Sequence, residues 1–367
     1  MERWGLLLIN LGTPDDPSPA AVRRYLAEFL DDPRVIDLPG WKRWLLLNLV
    51  ILPFRPRKSA EAYRKIWTER GSPLLFHGQD LVAKLQTALD AALGEGAAKV
   101  ALAMRYQSPS ILDALARFQR AGIDRIAVFP LFPHYASSSW GSAIEQLNQD
   151  AGRLLNVPTL QVLPVYYEHP AFVRAFGAVA RPVLDAFQPD RVLLSYHGLP
   201  ERHMRDGDLS GGQHCLASAT CCDLIVPANR FCYRAQCYAT TRALVPELGL
   251  ADGSHEVSFQ SRLGSTPWIQ PFTDHRVVEL AQAGVKKLAV LVPSFTADCL
   301  ETLEEIAIRA RAEFVAHGGE DLRLVPSLNS HDAWVEAILE MLREHAPGLA
   351  TPTAAVKPEG TPEPAPE

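Results

Sequence analysis

No apolar run in this 367-residue chain reaches the roughly 18 to 20 residues a membrane-spanning helix needs. An excess of basic residues is missing too. Lys and Arg number 36 against 42 Asp and Glu, a formal net charge of -6, and no basic stripe forms along the chain. That balance argues against a nucleic-acid binder. The start, Met-Glu-Arg-Trp running straight into GLLLIN, lacks the pattern of a secretory leader, so a cytoplasmic protein is expected. Cysteine is scarce and uneven: of six, Cys215, Cys221, Cys222, Cys232 and Cys237 crowd into one stretch and Cys299 stands apart. In a reducing compartment this crowding favours a metal centre over disulfides. Paired C-x-x-C knuckles, usual in zinc ribbons, are absent.

What is present looks duplicated. GLLLINLGTP (5–14) is similar to RVLLSYHGLP (191–200), KVALAMRYQSP (99–109) to EVSFQSRLGSTP (256–267), and AGIDRIAVFPLF (121–132) to AGVKKLAVLVPSF (283–295). The three pairs recur in the same order. Apolar strands alternating with helical segments give parallel sheets covered by helices. The expectation is an α/β chain of two similar Rossmann-like lobes, each a parallel sheet flanked by helices, with an active-site cleft between them. The first lobe takes 1–165 and the second 166–346. Helical spacing predicts helices over 18–30, 80–93, 110–120 and 331–345. Beyond Pro347 the composition falls to Ala, Pro, Thr and Glu, which predicts a disordered tail over 347–367. The segment 41–54, WKRWLLLNLVILPF, is apolar with Trp, Lys and Arg at its edges. It reads as a buried helix, as an interfacial anchor, or, extended to 58, as the lip of an apolar pocket.

Two strand ends carry the chemistry. SYHGLP (195–200) and FTADCLETLEE (295–305) each follow an apolar run. In open α/β sheets, active groups collect at the carboxyl ends of strands. His197 is therefore expected to face Asp298, Glu301 and Glu305. Spaced i, i+3 and i+7, the three acids are expected on one face of a helix, titrating as a coupled set. A histidine opposite carboxylates can move protons and handle a divalent cation.

Taken together, LLLINLGTPD (6–15), FLDDPRVIDLP (29–39), YRKIWTERGSPL (63–74), MRYQSPSI (104–111), FPLFPHYASSSWGS (129–142), SYHGLPERH (195–203), FQSRLGSTPWIQPFTD (259–274) and FTADCLETLEEI (295–306) resemble the ferrochelatase family. The resemblance implies a chelatase-like fold that inserts Fe(II) into protoporphyrin IX, releasing two pyrrole protons and forming protohaem. It implies that His197 and Glu301 are the essential pair, with Asp298 and Glu305 continuing a path for the substrate iron. It implies a porphyrin pocket bordered by Asn10, Thr13, Tyr63, Arg105, Tyr106, Ser137 and Ser138, in which Arg105 pairs with a propionate. Contact with the inner face of the cell membrane at the 41–54 segment is expected, because substrate and product are apolar. Coproporphyrin as substrate, cobalt or nickel insertion into another tetrapyrrole, a haem carrier, and an iron–sulfur sensor on a chelatase scaffold stay open as rival readings.

Between Gly207-Asp208 and Gln236-Cys237 lies extra sequence, within an insertion placed at 209–237, holding four of the six cysteines. Some members of the family carry a 2Fe–2S cluster, and certain bacterial ones hold it in such an internal loop. The resemblance implies Cys215, Cys222, Cys232 and Cys237 as its ligands, with Cys221 as alternative. Structural zinc and unligated thiols remain the other readings.

Overall fold

The computed structural model describes residues 3–264 and 266–349. Eight strands carry the fold: β1 (Trp4–Gly12), β2 (Ala98–Tyr106), β3 (Arg125–Pro130), β4 (Thr159–Val162), β5 (Arg191–His197), β6 (His255–Gln260), β7 (Lys287–Leu291) and β8 (Asp321–Leu324). They form two parallel four-stranded sheets, ordered β2-β1-β3-β4 and β6-β5-β7-β8. The second order repeats the first: β5, β6 and β7 take the places of their duplicated counterparts β1, β2 and β3, and β8 takes the place of β4. The expected α/β architecture of two similar, helix-flanked parallel sheets is what the chain forms.

Both faces of each sheet are covered, which is why the central strands read as unbroken apolar runs. Leu6, Leu7, Leu8 and Ile9 of β1 are all 0% exposed. Alternate residues enter different cores, following the period of two. Leu6 and Leu8 join the large core, while Leu7 and Ile9 join an outer one. In β5, Val192 and Leu194 enter that same large core. One apolar core therefore runs through both sheets. Trp334, 0% exposed on helix Asp332–His345, lies in it against Phe129, Tyr166 and Phe172.

The helices start where local chemistry stops extended chain. Ser18 accepts a hydrogen bond from the Ala21 amide ahead of Pro19, opening helix Pro19–Asp31. Ser110 caps helix Ile111–Arg120. The helix expected over 80–93 begins earlier, at Pro73, and ends at Leu93. The 41–54 segment folds into helix Gly40–Leu45, a π-wound stretch Leu46–Ile51 and the start of helix Leu52–Ile66. Leu47 and Leu52 turn into a core with Tyr25 and Tyr63. Trp41, Trp44, Leu49, Val50 and Phe54 stay exposed. The segment is thus half core and half exposed lip. The expected tail starts later than 347: Pro347–Leu349 forms a 3-10 turn whose Leu349 is buried in the large core. The remaining tail residues, 350–367, lie outside the described residues.

Candidate active site

His197 is the last residue of β5, beside β7 on one flank and β6 on the other, where it pairs in register with Gln260. Its backbone amide donates to the Ser294 hydroxyl at 3.2 Å. Its Nδ1 lies 2.6 Å from the Gly198 carbonyl. A carbonyl oxygen only accepts, so Nδ1 is the donor of this bond and Nε2 is the ring nitrogen it leaves uncommitted. The ring leans on Phe295, with centroids 6.2 Å apart. Gly198 has a reason to be glycine. A Cβ there would sit 2.8 Å from the Gln260 carbonyl oxygen.

The acids do not form the expected row. Asp298 precedes the helix, which opens at Leu300 behind an extended Cys299 cap. Its buried carboxylate accepts from Asn329 Nδ2 at 2.7 Å, the Thr302 hydroxyl at 3.0 Å and the Ser327 amide at 3.3 Å. Those bonds, with the Cys299 amide donating to Thr302, close the turn before the helix and keep Asp298 off its face. From Leu303 to Ala310 the winding is π rather than α, a rare form common at functional sites. Glu305 is also committed: Ser261 donates to it through amide (2.9 Å) and hydroxyl (2.5 Å). Of the three, Glu301 alone has a carboxylate free of such bonds to backbone or hydroxyl groups. Its neighbours are Tyr25, Tyr63 and Cys299. Burial first, and the Glu301 charge among the further causes, hold both tyrosine hydroxyls and the Cys299 thiol protonated far above neutral pH.

Leu300 and Leu303, flanking Glu301, pack on the core of helices Pro19–Asp31 and Leu52–Ile66. The second-lobe helix thereby abuts the first-lobe lip. Lys65 crosses this junction to Glu304 at 3.0 Å, and Arg202 crosses to Asp37. Near the lip, the Thr13 hydroxyl meets Ser72 at 2.8 Å, and Tyr63 is 7% exposed. Asn10 bonds the Leu11 amide. Ser137 accepts from Arg34 at 2.9 Å, and Ser138 lies in the same half-buried turn. Arg105 is more constrained than its sequence context implied. Buried Asp32 holds its Nη2 at 2.8 Å and Ser142 holds its Nε at 2.6 Å. Tyr106 is 0% exposed and donates to Asp32 at 2.9 Å, so it underlies the wall. Burial opposes the charge of Asp32. The bonds from Ser142, the Arg34 amide and Tyr106, with the Arg105 charge, outweigh it and lower its pKa. Asp32, Ser142, Tyr25 and Gln260 escaped sequence reasoning. Only Gln260 carried a signal, its place at a strand end. A cavity of about 330 Å³ lined by Phe129, Tyr166, His169 and Met341 includes none of these groups.

The five crowded cysteines are all buried. Cys221 and Cys222 Sγ are 3.7 Å apart, and Arg234 donates to Cys222 Sγ at 3.1 Å. Cys232 neighbours Cys215, Cys222 and the Met204 sulfur. Cys237 lies deeper, on helix Tyr233–Glu247, beside the buried Tyr233 hydroxyl. Burial pushes the Cys215 thiol up to about 11. Among the described residues, no three His, Cys, Asp or Glu side chains converge as a ready-made metal site. Two polar residues order the loop. Asp208 accepts from the amides of Ser210, His214 and Cys215. Asn229 bonds the carbonyls of Cys221 and Leu224 and the Val226 amide.

Comparisons with known proteins give the family. The family model described as Ferrochelatase matches residues 3–346. Curated ferrochelatases of Coxiella burnetii (strain Dugway 5J108-111) and Legionella pneumophila (strain Lens) are each 46% identical, over 341 and 343 residues. These matches cover 93% of this chain, and 93% and 99% of those proteins. Among solved structures, SirB from Bacillus subtilis with Fe3+ is similar over 94% of this chain and 96% of its own. Its identity is 14% and its TM-score 0.48, too loose to bear on function. The chain belongs to the ferrochelatase family: it is an enzyme of haem synthesis that inserts iron into a porphyrin.

Proposed function

We propose that this family member converts protoporphyrin IX to protohaem with His197 as proton acceptor and Glu301 as the carboxylate that meets the incoming iron. The observation carrying this reading is the hydrogen bond from His197 Nδ1 to the Gly198 carbonyl. It occupies Nδ1 as a donor and leaves Nε2 as the uncommitted ring nitrogen, with no hydrogen-bond partner among the described residues. Metallation removes two pyrrole protons, so an imidazole held in one orientation with one ring nitrogen uncommitted suits the task. Glu301 is the acid not tied to a backbone or hydroxyl donor; its hydrogen-bond neighbour is the Cys299 thiol, a weak donor that leaves room for a cation. Asp298 holds the turn before the helix and Glu305 holds the helix to Ser261, so both support the site from behind. The test is a comparison of variants at saturating porphyrin. Glu301→Gln loses most of kcat, about 10²-fold or more, whereas Glu305→Gln loses less. Equal kcat and equal iron KM in both variants would make the acids a solvated face only.

A 2Fe–2S cluster is the finer proposal for the cysteine loop. Soft thiolates suit iron–sulfur ligation. The proposed donors are Cys215, Cys222, Cys232 and Cys237, with Cys221 as the alternative to its neighbour. Two observations support the fit. Arg234 supplies positive charge beside the Cys222 sulfur, and the Tyr233 hydroxyl lies beside the Cys237 sulfur. The cluster would supply one-electron redox chemistry and a cross-link within the loop. Peripheral contact with a lipid surface from the cytoplasmic side is proposed for the lip, supported by exposed Trp41, Trp44 and Phe54 with the exposed Lys42 beside Trp41.

A further inference from the structure

His197 and Glu301 lie on separate segments of the second lobe, one ending β5 and the other beyond β7. Something must set their spacing, because an error of about 1 Å can cost on the order of 10²-fold in rate. We propose that Gln260 is the positioning residue that fixes Glu301 relative to His197. The inference rests on the reading that these two residues carry metal insertion.

Gln260 ends β6 directly opposite His197 and is 2% exposed. Every polar group of it that faces the site is used. Its backbone carbonyl accepts from the Gly198 amide at 2.7 Å, one residue past His197. Its Oε1 accepts from the Ser195 hydroxyl at 2.8 Å, two residues before His197. Its Nε2 donates to the Glu301 carbonyl at 2.8 Å. One side chain and its own backbone thus grip the histidine strand on both sides of the ring and the acidic helix at Glu301. The next residue extends the grip: Ser261 takes the Glu305 carboxylate. Behind Gln260 the chain Ser195–Thr273–Ser258 continues through hydroxyl contacts of 2.8 Å, so the amide cannot rotate without breaking a buried, satisfied network. The glutamine amide supplies both an acceptor and a donor with enough reach to span the two segments. Serine or threonine would be too short to reach both, and a carboxylate would turn an acceptor toward the Glu301 carbonyl.

The experiment uses the full-length protein and four variants: Gln260→Leu, Gln260→Asn, Ser195→Ala and the double variant Gln260→Leu/Ser195→Ala. Porphyrin fluorescence quenching counts correctly folded sites and gives the porphyrin Kd. Anaerobic turnover gives kcat per site and the iron KM. Gln260→Leu is expected to lower kcat per site by at least about 10-fold and raise the iron KM several-fold, with the porphyrin Kd within about twofold of the parent. Gln260→Asn retains a buried amide too short to span the gap, and shifts the same parameters less. It decides the matter should the leucine variant fail to fold. The double variant is expected to lose no more than Gln260→Leu alone, because both substitutions cut one bridge. A merely structural role would lower the number of porphyrin sites and leave kcat per site and iron KM unchanged. That result, with His197→Ala and Glu301→Gln inactive, would overturn the proposal alone. Full activity of His197→Ala and Glu301→Gln would instead remove the reading beneath it.

Discussion

At the scale of single residues, commitment of lone pairs separates the groups that act from those that hold. Asp298, Glu301 and Glu305 look alike in sequence, and spacing alone put them on one face. The structure divides them by hydrogen bonding: Asp298 to Asn329, Thr302 and Ser327, and Glu305 to Ser261. Helical spacing could not foresee this, because the extended Cys299 cap, with Thr302 bonded to Asp298, starts the helix only after Asp298. His197 was legible, since a histidine following an apolar strand falls at the carboxyl edge of a sheet. Another histidine gives a test in stability rather than activity. His134 is 2% exposed, its Nε2 is 2.8 Å from the Thr240 hydroxyl, and burial holds its pKa down at about 3. The unfolded chain binds this proton near pH 6.5 and the folded chain only near 3. Stability from this group is therefore full above pH 6.5 and falls as pH drops toward 3, by up to about 1.4 kcal/mol per pH unit. Melting temperature against pH should show that slope, and His134→Gln should flatten it. An equal slope in both proteins would assign the acid sensitivity elsewhere.

At the scale of elements, two segments were read in outline and resolved in detail by packing. The lip was legible as apolar with basic and aromatic edges, but not which residues face out. Leu47 faces the core with Tyr25, whereas Trp44 and Phe54 are 58% and 75% exposed. Replacing Trp44 and Phe54 with Ser is expected to weaken liposome binding at least about 10-fold, since each large apolar side chain buried in lipid contributes roughly 1.5 to 3 kcal/mol. Co-sedimentation measures it, and unchanged binding would return the lip to a purely porphyrin-facing role. The cysteine loop was legible as a thiol cluster. A loop with little apolar material is expected to owe its order to bound metal, yet Asp208 and Asn229 already tie its backbone. Serine in place of Cys215, Cys222 or Cys232 should therefore bleach the visible spectrum while leaving the loop resistant to limited proteolysis. Anaerobically purified parent protein free of iron and sulfide, with full activity, would contradict the cluster.

At the scale of the whole molecule, the duplicated sequence foretold two sheets with the same strand order. The shared core, with Leu8, Leu194 and Trp334 in one continuous apolar body, was not foretold. Strand patterning reports that a face is buried and not what it is buried against. The consequence for the proposed function lies at the junction, where Leu300 and Leu303 beside Glu301 pack on the first-lobe lip. In the proposed function His197 accepts pyrrole protons while other residues bind the porphyrin. The most direct measurement is anaerobic single-turnover Fe(II) insertion by parent and His197→Ala proteins preloaded with protoporphyrin IX and followed by the absorbance of haem. The account predicts equal porphyrin loading, with metallation slower in the variant by about 10²- to 10⁴-fold. Metallation within a few-fold of the parent rate, in a variant that loads porphyrin fully, would contradict it.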